Sequence, residues 1–130
     1  MKSKKLLVAV IGLVFVSLIL AACSASSKSD FPTGKFINPN DENGGGMQFS
    51  ADGTWTAFNK AYVLARGTYS VDGDTYIEES NNGGCSAPMS FKYTFDGTHL
   101  TFNYIGNPAD DYSCDGRRAG FDNVTYTLSK

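Results

Sequence analysis

Downstream of Cys23 the chain predicts an all-β domain, a small antiparallel up-and-down β-barrel of about eight strands. Three observations carry the prediction. Apolar residues recur at every second position in short runs, Asp-Gly pairs punctuate those runs at 52–53, 72–73 and 96–97, and no stretch after Cys23 keeps a helical period.

The opening strand, 34–37, turns Phe36 inward. The second, 46–50, brings Met47 and Phe49, and the third, 54–58, adds Trp55 across the first Asp-Gly turn. Around the next turn, 66–71 aims Tyr69 and Val71 at the core and 75–78 aims Ile77. Alternation is cleanest in Ser90-Phe91-Lys92-Tyr93-Thr94-Phe95. After Asp96-Gly97, the run 98–105 places Leu100, Phe102 and Tyr104 on one face and His99, Thr101 and Asn103 on the other. The last strand, 123–128, turns Val124, Tyr126 and Leu128 inward. Strands with one apolar face each bury it most completely by closing into a barrel, which also removes exposed edges. A two-sheet sandwich is the alternative packing. The Gly- and Asn-rich segments 38–46 and 81–88 read as loops at the barrel mouth.

The N-terminus has a different character. Met1-Lys2-Ser3-Lys4-Lys5 is cationic, and an uncharged apolar run follows to Leu20, the order of a signal peptide. The run is nearer that length than the roughly 20 apolar residues of a membrane span, which leaves spanning as second choice. Leu20-Ala21-Ala22-Cys23 resembles the bacterial lipoprotein box. That resemblance implies cleavage before Cys23 and acylation of its thiol, each buried methylene adding roughly 0.8 kcal/mol of membrane affinity. The expected organisation is a signal peptide at 1–22, an acylated cysteine with a Ser-rich flexible tether at 23–33, and the barrel at 34–130. The location expected is the bacterial cell envelope, on the extracytoplasmic side of the membrane.

Without the three leader lysines, 8 basic residues stand against 13 acidic ones, a formal charge of −5. That balance argues against nucleic acid as a partner. With Cys23 given to lipid, Cys85 and Cys114 remain in a compartment where thiols oxidise, and are expected to pair as a disulfide.

A second resemblance covers nearly the whole domain. Gly34-Lys35-Phe36 is similar to the Gly-x-Trp opening of lipocalins. The runs "GTYSVDGDTYIEES" and "FKYTFDGTHLTF", with a cysteine between them and Asp111-x-x-Cys114-x-x-Arg117 after them, resemble small bacterial lipocalin-like lipoproteins of the calycin type. The resemblance implies a barrel that holds a small ligand. Phe36 stands where lipocalins have tryptophan, so the packing of an arginine on that indole does not carry over intact. Arg117 or Arg118 is expected to cover one barrel end through cation-to-ring contact, with Phe36 and Arg117 the candidate barrel-end packing residues.

Other constellations point away from chemistry. From Asp111, oxygen side chains at the first, third and fifth positions, Gly116 at the sixth and Asp122 at the twelfth outline a calcium loop. Arg117 and Arg118 place cations inside that outline, Asp122 is too short for a bidentate glutamate, and Gly106 and Pro108 disfavour an entering helix. No metal or other cofactor is expected. His99, the chain's single histidine, reads as a solvated strand residue. Glu78 and Glu79 are adjacent and so point to opposite sheet faces, which rules out a carboxylate pair. No nucleophile elbow or triad order is present, and no enzymatic activity is expected.

Two functions follow as expectations. One is a membrane-tethered module holding a small apolar or amphipathic ligand against Trp55, Tyr69, Phe91, Tyr93, Phe102, Tyr104 and Tyr126. The other is a protein-interaction or inhibitor module with a filled core, in the manner of lipoprotein inhibitors of lysozyme, although their active-loop signature is missing. An interior this aromatic serves either.

Overall fold

The computed structural model describes residues 30–80, 85 and 87–130. The signal segment, Cys23 and most of the tether lie outside the described residues, as does most of the loop that begins at position 81.

Eight strands form a closed barrel in sequence order: β1 (Gly34–Ile37), β2 (Gly46–Phe49), β3 (Thr54–Phe58), β4 (Val63–Asp72), β5 (Thr75–Ser80), β6 (Met89–Phe95), β7 (His99–Ile105) and β8 (Thr125–Leu128). Each pairs antiparallel with the next, and β8 closes on β1 through Phe36 opposite Leu128. The barrel expected from alternation is therefore the fold, and the sandwich is not.

The connections divide between two ends. Tight turns join β2 to β3, β4 to β5 and β6 to β7 at one end, the turn end, where Gly53, Gly73 and Gly97 all have positive φ (82°, 59° and 97°). That backbone region is open to glycine without the Cβ clash other residues meet. At the opposite end, the mouth, lie the three longer connections and the short link from β3 to β4. The longest runs from β7 to β8 and contains a 3-10 turn (Tyr112–Cys114) that leads into α1 (Asp115–Phe121). The absence of helical periodicity after Cys23 gave no sign of this helix. It is only seven residues long, and its sequence, DGRRAGF, is too short and too polar to register as a period.

Inside the barrel Phe36, Met47, Phe49, Trp55, Phe91, Leu100, Phe102 and Tyr126 are buried, as expected, with Tyr69, Val71, Tyr93, Phe95, Tyr104, Val124 and Leu128 packed against them. The fifth strand corrects one expectation. Ile77 faces outward, and Tyr76, Glu78 and Ser80 face inward. Directly opposed residues in an antiparallel pair share a face. Tyr76 lies opposite inward Val71 and inward Phe91, whereas Ile77 lies between Ser70 and Ser90. The two-residue turn at Gly73 and Asp74, which sets Asp72 opposite Thr75, fixes that register.

Phe31 belongs to the stretch read as tether, yet it is only 6 % exposed. Its ring sits in the barrel axis among Phe49, Tyr69, Tyr76, Tyr93 and Phe102, with centroids 4.9 to 6.3 Å away. The packed domain thus begins ahead of Gly34. A buried phenylalanine contributes about 3 kcal/mol by area alone, and edge-to-face partners add to that.

Candidate functional site

The two halves of the interior differ. Towards the turn end the space is filled by Phe31 and its ring of partners, locked by Tyr69 Oη donating to the Ser50 carbonyl at 2.7 Å and Tyr93 Oη donating to that of Gly73 at 3.3 Å. Towards the mouth a cavity of about 540 Å³ opens. Pockets of roughly 300–1,000 Å³ are the range that drug-sized ligands occupy.

The cavity is built from four sources. From β2, β3 and β4 come Met47, Trp55, Ala57 and Ala65. Trp55 lies flat against Gly67 on the neighbouring strand, where a Cβ would come within 2.7 Å of the indole, and its Nε1 donates to the Thr68 carbonyl at 3.2 Å. Ser80 and Cys85 come from the end of β5 and the loop after it, and Val124 and Tyr126 from the approach to β8 and β8 itself. The lid is α1, which contributes Arg117, Ala119, Gly120 and the buried ring of Phe121. Two links hold the helix there. Cys114 is joined to Cys85 as a disulfide with Cα atoms 5.0 Å apart, and Tyr126 Oη donates to the Gly120 carbonyl.

Beneath the helix lies a polar cluster in otherwise apolar surroundings. Arg117, whose side chain is 8 % exposed, donates from Nη1 to Glu78 Oε1 at 3.3 Å and to the Ala87 carbonyl at 3.2 Å. Glu78 is fully buried on the inward face of β5, one pleat below Ser80. Burial pushes its carboxyl up to about 7, against the pull of the Arg117 guanidinium. Glu78 Oε2, Arg117 Nη2 and Tyr76 Oη are buried with no hydrogen-bond partner among the described residues. Each such group costs about 1–3 kcal/mol when left unpaired. Burial also raises Tyr76 well above, and Tyr126 to about 12 from, the ordinary phenol range.

The predicted ligand-contacting residues separate accordingly. Trp55 and Tyr126 line the cavity. Tyr69, Phe91, Tyr93 and Phe102 are core, packed ring on ring. Tyr104 packs on Phe91 and is covered by the Arg118 guanidinium, 5.6 Å from its ring centre. Phe36 and Arg117, expected together at a barrel end, are apart: Phe36 packs on Phe49 and Phe95, and Arg117 turns inward to Glu78. The cation-to-ring contact is made by Arg118.

Of the remaining candidates, the calcium-loop outline is spanned by the 3-10 turn and α1, with Asp115 paired to Arg118 and Asp122 accepting the Tyr104 amide at 2.8 Å. His99 is exposed at the turn end and meets Asp96 at 3.0 Å. The His99 and Thr98 amides lower that Asp96 carboxyl to about 2. Among the described residues no three His, Cys, Asp or Glu side chains are grouped to hold a metal ion. The residues sequence reasoning missed are Glu78, Tyr76, Phe121 and Phe31, and the turn-fixed register was the signal for the first two. Compared with known proteins, the chain matches no family model, no curated protein and no solved structure.

Proposed function

We infer that this protein is a non-catalytic binding module, lipid-anchored through Cys23 to the outer face of a bacterial membrane, which holds a small amphipathic molecule in the mouth of a lipocalin-like barrel. The observation that carries this reading is the cavity of about 540 Å³ over a packed aromatic floor. A barrel meant only as a scaffold has no need of a hollow half, since side chains readily fill an eight-stranded interior. The lining supports an amphipathic guest: Met47, Trp55, Phe121 and Val124 offer apolar walls, and Asp41, Ser80 and Arg117 are among the polar residues set into them. The export and anchoring parts of the reading rest on the cationic, apolar, Leu20-Ala21-Ala22-Cys23 order of the leader.

Native mass spectrometry of the full chain, purified from its membrane fraction and then extracted with organic solvent, tests it. The expected result is an adduct mass that extraction removes. A chain that stays bare through titration with lipids and small aromatic compounds overturns ligand carriage.

One observation favours a second reading, a protein-interaction module. Tyr62, Val63 and Leu64 are exposed (69 %, 47 % and 56 %) on the rim beside the cavity, a cluster of large apolar side chains uncommon on a free surface. Capture of one envelope protein that is lost on Tyr62→Ser with Leu64→Ser, with the chain bare of adduct, would select it.

A further inference from the structure

The charges on the cavity wall narrow the class of guest, an inference that rests on the ligand-binding reading above. Among the described residues two of the lining side chains are charged, Asp41 and Arg117, and they are placed differently. Arg117 is already answered: Nη1 donates to Glu78 and to the Ala87 carbonyl, and Nη2 is sealed from solvent, so its charge is neutralised behind the wall. Asp41 has no such answer. It stands half-buried in the connection from β1 to β2, where its Oδ1 accepts the Asn43 amide at 2.8 Å, and among the described residues its carboxylate has no cationic partner. Two lysines of neighbouring segments are engaged elsewhere, Lys35 over the Phe58 ring at 4.9 Å and Lys60 with its stem against Gly44.

The loop fixes where that carboxylate stands. The Asn38 amide donates to the Gly45 carbonyl at 2.9 Å, the Gly44 amide to that of Asp41 at 2.9 Å, and the Lys60 amide to that of Asn43 at 3.1 Å. Oδ2 lies against the buried lining residue Gly45, where a Cβ would collide with it, so glycine there lets the carboxylate reach the wall. Tyr126, also in the lining, feels the charge: burial first, and then Asp41, push its phenol up to about 12. A guest that fills the apolar space therefore meets one uncompensated negative charge. An anionic head would be repelled there, and a neutral head would gain little. An ammonium would form a charge-assisted hydrogen bond with Oδ2 while its body covers Trp55 and Phe121. The acidic excess of the domain adds a field of the same sign. We propose that the cavity takes a lipophilic amine, its apolar body inward and its ammonium at Asp41 Oδ2.

Trp55 is the single tryptophan of the chain and lines the cavity, so its fluorescence reports occupancy. The test titrates the full chain, in nonionic amphipol at pH 8, with three probes sharing one transparent apolar cage: adamantanemethylamine, adamantanemethanol and adamantanecarboxylic acid. At that pH Glu78, which titrates at about 7, keeps Arg117 compensated. The amine is expected to bind about tenfold tighter than the alcohol, the worth of one charge-assisted hydrogen bond, and the acid is expected to bind weakest. Asp41→Asn keeps the acceptor that the Asn43 amide uses and is expected to bring the amine down to the affinity of the alcohol. Glu42→Gln removes the same charge from an exposed neighbour outside the lining and is expected to leave the amine within about twofold. An alcohol or acid that equals the amine on the unsubstituted chain overturns the proposal and leaves ligand binding standing, and that ranking needs no variant. An amine preference that survives Asp41→Asn overturns it as well, as does one that Glu42→Gln abolishes equally, since the general field would then account for it. Three probes that all leave Trp55 unperturbed sink the ligand-binding reading with it.

Discussion

The turn end and the mouth of this barrel are made from the same strands and behave as opposites. At the turn end, short connections with obligatory glycine geometry draw the strands together, and Phe31 fills the axis with rings on all sides. At the mouth most connections are longer, a disulfide-tethered helix covers the opening, and the interior holds a cavity and a partly satisfied ion pair. The difference teaches that dense packing and open space are placed at opposite ends of one small core. Buried aromatic contacts hold the fold at one end, so the other end can tolerate unfilled space and unpaired polar atoms.

Phe31→Ala attacks the packed end and carries the largest expected effect, a loss of about 3–5 kcal/mol. Thermal unfolding should show it as a fall in Tm on the order of 15 °C. If the ends are as separate as described, probe binding at Trp55 stays within about twofold for the fraction still folded. Replacing Cys85 and Cys114 together by serine attacks the other end. The bridge spans 29 positions, and its loss is expected to remove about 3–4 kcal/mol in urea unfolding. Here affinity should fall with stability, because Cys114 leads directly into the helix that covers the cavity.

Glu78→Gln sharpens the comparison through pH. A carboxyl raised from the ordinary range to about 7 binds its proton more tightly in the folded chain than in the unfolded one. Its contribution is therefore intact at pH 4 and is lost as pH climbs through about 7, on the order of 2–3 kcal/mol in all. Urea unfolding from pH 4.5 to 8 should show that decline in the parent chain, and Glu78→Gln should flatten it. Gly73→Ala is the smallest of the four. Its φ of 59° strains a Cβ that would meet nothing within 4 Å, so about 1 kcal/mol is expected from backbone strain alone.

The packed end was largely legible in the sequence and the mouth was not. Alternation and three Asp-Gly turns are local signals, and they yield the barrel, its strand order and the rings of Phe49, Phe91 and Phe102. Ile77 shows where such reading stops. Hydrophobicity alone turned it inward, whereas the two-residue turn already obliges Tyr76 to follow Val71. Phe31 escaped because an isolated ring after a Ser-rich tether carries no period. The Glu78–Arg117 pair joins positions 39 apart in the chain, on a strand and on a helix too short to register, and only closure of the barrel brings them together. Cys85 and Cys114 did announce themselves, since the export expected from the leader would place both thiols where disulfides form.

The position of Phe31 would also set an orientation if the chain is anchored as proposed. The chain enters the barrel at the turn end, and at about 3.5 Å per residue the span from Cys23 to Phe31 reaches no further than roughly 28 Å even when fully drawn out. An acyl group on Cys23 would therefore keep the turn end nearest the bilayer and leave the mouth facing outward. In the reading proposed above, a guest would then arrive from the aqueous side rather than by lateral passage out of the lipid.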